Sequence, residues 1–162
     1  VITKLLTSLI LVTSALADDR PLAEFEIAHS EFGRFRIYHR DSLELADTTN
    51  GTKHKLTARD YPLSRDDGVF SPDSLRVLWS PDERLFALTV HHHRHSSGTF
   101  LFYVGTKGVA FIPTGLEDAA HIELSPQHWL TSRTLLLGTT KNFYNVLRVD
   151  TRKLQAHVQK LK

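Results

Sequence analysis

Cysteine is absent from all 162 residues. That excludes disulfide staples, thiolate metal ligands and thiol nucleophiles, and leaves an apolar core as the source of stability. The familiar catalytic signatures are absent too: there is no Gly-x-Ser-x-Gly elbow, no His-Glu-x-x-His helix, no P-loop and no dinucleotide-binding glycine fingerprint. Serine, histidine and aspartate are plentiful, so a triad dispersed along the chain stays open. Charge of one sign is not in excess, with 20 Lys and Arg against 18 Asp and Glu and a formal net charge of +2. A hold on nucleic acid through phosphate neutralisation calls for a larger basic surplus, so no nucleic-acid partner is expected. Long runs with helical period are missing as well.

What is present starts with the first residues. "VITKLLTSLILVTSALA" joins a cationic start at Lys4, an apolar run from Leu5 to Val12 and the small-x-small sequence Ala15-Leu16-Ala17, with Asp18 and Asp19 directly after. This is the layout of a cleaved export signal over residues 1–17. The run is shorter than the ~20 residues that span a bilayer, so a secreted or periplasmic protein is expected, with no transmembrane segment after cleavage. An uncleaved anchor or a buried N-terminal helix is the alternative. Residues 18–162 then have the length of a single domain able to bury its own core. Losing Lys4 brings the formal charge to +1. No cysteine follows the cut, which excludes a lipoprotein-type lipid anchor.

Past the leader, apolar residues recur with period two, the mark of half-buried strands. In "EFGRFRIYHR" Phe35, Ile37 and His39 fall on one face, and Arg34, Arg36, Tyr38 and Arg40 on the other. "RLFALTV" (84–90), "TFLFYV" (99–104), "GVAFIP" (108–113), "RTLLLGTT" (133–140) and "FYNVLRVD" (143–150) read likewise. Turn formers separate them: "TTNGT", "RDDG", "SPDS", "SPDE", "HSSG", "GTKG" and "PTG". The tail is ambiguous, since Leu154, Val158 and Leu161 share a helical face while Leu154, Ala156 and Val158 alternate as in a strand. The chain also repeats weakly. "LWSPDERLFALTV" and "IELSPQHWLTSRTLLLGTT" each run from a strand end through a Ser-Pro turn into a strong strand, followed by another strand pair. "FRIYHR", "LELAD" and "KHKLT" form a more degenerate first copy. The expected spacing is that of a four-stranded propeller blade, about 40–45 residues.

Trp79-Ser80-Pro81-Asp82, followed by Glu83-Arg84 and an apolar strand, resembles the Trp-Ser-Pro-Asp-Gly turn of WD-repeat-like β-propeller blades in exported bacterial proteins. The resemblance covers one blade well and a second partially. Glu83 stands where that family has glycine, and Ser125-Pro126-Gln127 lacks the aspartate. It implies a binding platform rather than a reaction. A closed propeller takes at least four blades, and residues 18–162 hold about three.

The most conspicuous polar cluster is "TVHHHRHSSG", residues 89–98. On a strand continuing past Val90, His91, His93 and His95 share a face, with His92 and Arg94 opposite. Same-face neighbours lie about 6.8 Å apart, close enough for two imidazoles to share an ion. His121-Ile122-Glu123 repeats that spacing, so His91, His93, His95, His121 and Glu123 are a candidate ligand set for Zn or copper. The plainer reading is a hairpin rim that is rich in histidine, with no cofactor, and with Arg94 repelling a cation. The Arg34, Arg36, Tyr38 and Arg40 face is either a polyanion site or a solvated face paired with Glu24, Glu26 or Glu44. Asp66-Asp67-Gly68 lacks the distal glutamate of a calcium loop and reads as a turn. Asn50-Gly51-Thr52 fits both a glycosylation acceptor and a hairpin turn. Trp79 and Trp129 read as packing residues.

The expectation is therefore an exported all-β protein of about three antiparallel four-stranded units resembling propeller blades, with a β-sandwich as alternative. Two functions stay open. One is a non-catalytic binding or scaffold protein with an envelope or protein partner, its contact surface the rim carrying the Ser-Pro turns and the histidines, and with self-association through edge strands. The other is a metal-dependent enzyme or metal-binding protein using His91, His93 and His121, with Glu123 as ligand or general base.

Overall fold

The computed structural model describes residues 25–39, 42–58, 63, 74–92, 96–117, 124–138 and 145–160. Twelve strands make three four-stranded antiparallel sheets, and no α-helix occurs among the described residues. The first sheet holds β1 (Phe25–His29), β2 (Phe35–His39), β3 (Leu43–Asp47) and β4 (Thr52–Lys55). The second holds β5 (Leu75–Trp79), β6 (Leu85–His92), β7 (Ser96–Gly105) and β8 (Gly108–Ile112). The third holds β9 (Ser125–Thr131), β10 (Thr134–Gly138), β11 (Asn145–Asp150) and β12 (Gln155–Lys160). Each is a meander in which chain neighbours pair, the blade-like unit expected from the alternation.

The period-two pattern becomes a three-layer stack. Phe35, Ile37, Leu43 and Leu45 of the first sheet pack against Phe86, Leu88, Phe100 and Phe102 of the second. The opposite face of the second sheet offers Leu85, Ala87, Leu101 and Ile112 to Leu135, Leu137, Leu147 and Val149 of the third. The middle sheet is buried on both faces, which explains why β6 and β7 read as nearly continuous apolar runs. Aromatic rings tie the first layer to the second: Phe35 stacks on Trp79 at 5.7 Å, and Trp79 lies 4.7 Å from Phe86. Each fully buried side chain of this size contributes about 1.5–3 kcal/mol. Both tryptophans are packing residues, as expected. The sheets approach one another along their first strands, β5 meeting both β1 and β9.

The repeat is longer than expected and differently aligned. β1, β5 and β9 begin at residues 25, 75 and 125, a spacing of 50. Trp79 and Trp129 are equivalent, facing Phe86 and Leu135 on the next strand. Ser125-Pro126 is therefore not a counterpart of the Ser80-Pro81 turn. It lies inside β9, where Pro126 faces Leu137 beside a register shift. Proline is tolerated there because an edge strand at a bulge does not need its N–H for the ladder. The β9–β10 turn is Ser132-Arg133 instead. The ambiguous tail is a strand, with every residue of β12 paired to β11.

The true counterpart of the Ser-Pro-Asp turn lies fifty residues upstream. Ser80 closes its loop with N–H to the Leu85 carbonyl at 2.8 Å, while its hydroxyl oxygen accepts the Leu85 N–H at 2.9 Å. Ser30 does the same with Phe35, at 2.9 and 3.0 Å. The third loop residue must turn left-handed, at φ 70° in Gly33 and 52° in Glu83. Only glycine enters that region freely, so Glu83 needs a compensating contact. Its buried carboxylate accepts the Phe32 N–H at 2.7 Å and fastens the second sheet's turn to the first sheet's. One layer on, Arg133 donates to Asp82 at 2.8 Å and the Trp129 indole N–H donates to the Leu78 carbonyl at 3.0 Å. Glu83 is thus part of the seam between layers.

Candidate functional site

Strand direction alternates within each meander, so the turns β1–β2, β3–β4, β5–β6, β7–β8, β9–β10 and β11–β12 gather at one end of the stack. The end of β6, with His91 and His92, is at the other. The Ser-Pro-Asp turn and the histidine cluster therefore do not share a rim. They flank opposite ends of β6, about 23 Å apart at ~3.3 Å per residue. An expectation that both lie on one contact surface does not hold, because a single strand separates them.

Of the proposed metal ligands, His91 alone lies among the residues whose side chains are described. It sits near the end of β6, exposed and opposite Ser97. β6 ends at His92, paired with Ser96, so residues 93–95 fall between the two strands. His93, His95, His121 and Glu123 lie outside the described residues, as do Arg40, Glu24 and Asp66-Asp67-Gly68. Among the described residues no three His, Cys, Asp or Glu side chains gather as a metal site would require. The basic strand face resolves into pairs. Arg36 bonds Glu26 at 3.1 Å, and Lys53 lies over the Tyr38 ring at 5.4 Å. Arg34 turns away from that face to Asp47.

The rim of gathered turns is held by side chains. The Asn50 amide oxygen accepts the Thr52 N–H at 2.9 Å, and Gly51 at φ 69° completes the hairpin that Asn-Gly predicts. Asp150 accepts the Arg152 N–H at 3.0 Å in the β11–β12 turn. Asp82 accepts the Ser80 hydroxyl at 2.8 Å and the Arg84 N–H at 3.2 Å. Burial works against its charge, yet these bonds and Arg133 prevail and hold its carboxyl below the usual value.

Among the described residues, clefts open between turns of this rim at both boundaries between sheets. One, of about 360 Å³, runs between the β7–β8 turn and the β11–β12 turn, with Tyr103, Lys107, Arg152 and Leu154 on its walls. The other, of about 220 Å³ and more enclosed, lies between the first and second sheets. Arg34, Asp47, Asn50, His54, Arg84 and Lys107 supply its polar lining. Gly108, at φ 129°, lets the β7–β8 turn close over β4, since a Cβ there would sit 3.3 Å from the His54 ring. Among its described lining residues the one carboxylate, Asp47, is engaged: it takes Arg34 at 3.0 and 3.3 Å and the Thr49 N–H at 2.9 Å. Burial opposes ionisation, but these partners outweigh it and hold the Asp47 carboxyl at about 2. Among its described lining residues the cleft sets Arg34, Arg84 and Lys107 against this one carboxylate, an excess of positive charge. The Thr52 hydroxyl is directed to Asn50 at 2.7 Å rather than to His54, so it is not set up as a base-activated nucleophile.

Sequence reasoning missed this site because its six polar members come from six separate turns and strands. A signal was present in Ser30-x-x-Gly33-Arg34, which matches Ser80-x-x-Glu83-Arg84 at a distance of fifty residues. No protein-family model, curated protein or solved structure matches the chain.

Proposed function

We propose that this protein is a non-catalytic binding module, exported to the periplasm or the extracellular space, with three WD-repeat-like blades presenting one turn-rich rim to a protein or envelope partner. The observation that carries the reading is the gathering of six hairpin turns at one end of a doubly buried stack, each sheet's turns held by side-chain bonds to the backbone. Recognition loops on a rigid scaffold are where β platforms bind. Support for export is the leader-like stretch 1–17, and support for the blade family is the Ser80-Pro81-Asp82 loop. The metal-dependent alternative has no described observation in its favour beyond the exposure of His91.

The test is affinity capture from an envelope extract with the wild-type protein and two variants. Arg152→Glu with Lys153→Glu reverses charge at the tip of the β11–β12 turn. Lys53→Glu with Lys55→Glu does the same within the β4 edge strand, off the turn tips. A partner retained by wild type and by the β4 variant but lost with the rim variant is the expected result. Equal retention by all three proteins overturns the reading. Metal analysis of untagged protein checks the alternative: bound zinc that disappears in His91→Ala would favour it.

A further inference from the structure

The three sheets place an arginine at the same point of their first turn. Arg34, Arg84 and Arg133 each present a backbone carbonyl to the third strand of their own sheet, accepting from Thr48 at 2.8 Å, Val104 at 2.8 Å and Val149 at 3.0 Å. Their guanidinium groups fare differently. Arg34 pairs with Asp47, the residue before Thr48. Arg133 pairs with Asp82 of the preceding sheet at 2.8 Å. In the second sheet the position before Val104 is Tyr103, which offers no carboxylate. Arg84 is left with the Val104 carbonyl at 3.5 Å, a marginal hydrogen bond. It lines the 220 Å³ cleft together with Lys107, which makes no ion pair among the described residues. With Asp47 neutralised by Arg34, Arg84 and Lys107 are two positive charges of the cleft, which also holds His54, that no carboxylate offsets among the described residues.

We propose that this cleft binds a tetrahedral oxyanion, the phosphate or sulfate group of a small ligand, with Arg84 and Lys107 as its principal contacts and His54 and Asn50 as flanking donors. A guanidinium offers the planar fork that matches two oxygens of such a group, and a lysine adds a point charge. Two arginines of the triplet are consumed by ion pairs, and the third lines a cavity with no carboxylate partner among the described residues. The proposal deepens the binding-module reading by naming a ligand class, and it concerns residues that the capture test leaves intact.

The experiment titrates the full protein at low ionic strength with inorganic phosphate, inorganic sulfate and, at matched ionic strength, chloride. Amide shifts of Gly105 to Gly108 are followed by NMR. Saturable shifts with phosphate or sulfate and not with chloride are expected, and the tighter of the two identifies the ester class. Arg84→Gln and Lys107→Gln should each weaken binding about tenfold, the loss of one charge-assisted hydrogen bond. Arg36→Gln, which removes the same charge from the first sheet's outer face, should leave it unchanged. Shifts that track chloride, or weakening by Arg36→Gln equal to that by Arg84→Gln, overturn the proposal. Far-UV circular dichroism of each variant verifies that loss of binding is not loss of fold. If the phosphate response persists while partner capture survives the rim variant, the anion site stands and the rim reading falls; capture that depends on the rim without any saturable anion response means that the rim reading stands and the anion site falls.

Discussion

Arg36 and Phe86 occupy the same place in successive sheets, each facing the last residue of the first strand across the β1–β2 or β5–β6 hairpin. Arg36 is exposed and bonded to Glu26, whereas Phe86 is wholly buried between Trp79 and Phe102. Leu135 holds the corresponding place in the third sheet and is also fully buried. The face that would receive a preceding layer is therefore apolar in the second and third sheets and charged in the first. Identical backbone topology serves two ends, and side-chain polarity alone decides whether a layer stacks. Among the described residues no apolar layer packs on that side of the first sheet.

The largest test of this contrast is Phe86→Ala against Arg36→Ala. Removing the ring from a doubly covered sheet should cost about 3–5 kcal/mol in denaturant unfolding, and removing the exposed guanidinium no more than about 0.5 kcal/mol. Comparable costs would mean that the first sheet's outer face is covered.

Next comes the seam between the two layers. Glu83→Ala loses the bond to Phe32 and keeps the left-handed backbone, so a loss of about 2 kcal/mol is expected. Glu83→Gly loses the same bond but relieves about 1 kcal/mol of backbone strain, and should unfold later than the alanine variant. The opposite order would separate the carboxylate from the seam.

Asp47 provides a pH test confined to the first sheet. Its carboxyl is held at about 2 when folded, against an ordinary 3.8. A depressed carboxylate stabilises the folded state fully above its unfolded value and loses that contribution as pH falls through the folded one. Stability should therefore drop between about pH 4 and pH 2, by on the order of 1–2 kcal/mol from this group. Asp47→Asn should start lower and lose less across that interval, as read by thermal melts. Smallest is the paired comparison of Ser30→Ala and Ser80→Ala, each costing about 1 kcal/mol. Ser80 should be the costlier, because its hydroxyl also serves Asp82.

Much of the architecture is legible in the chain. The strands from Leu85 to Ile112 and the burial of Phe35, Ile37 and His39 follow from alternation alone, because one covered face imposes period two. The Asn50-Gly51 hairpin follows from a turn that demands positive φ. The repeat misaligns when Ser-Pro is matched to Ser-Pro, whereas the true equivalence runs through Trp79 and Trp129 and through Ser30 and Ser80. β1 escapes notice because a bulge between Glu26 and Ala28 breaks its alternation. The rim cleft is not legible, since Arg84 and His54 belong to different sheets and no local spacing connects them.

By itself, the sequence determined that this chain makes antiparallel meanders with one or two apolar faces, since strand periodicity and turn chemistry are local properties that neighbouring residues settle. Only the tertiary structure decided which faces meet, that His91 and the Ser-Pro-Asp loop lie at opposite ends of β6, and that among the described residues Arg84 alone of three equivalent arginines lacks a carboxylate. Those facts depend on which side chains of distant sheets come within a few ångströms, and Coulomb and hydrogen-bond energies respond to that separation in space, not to distance along the chain.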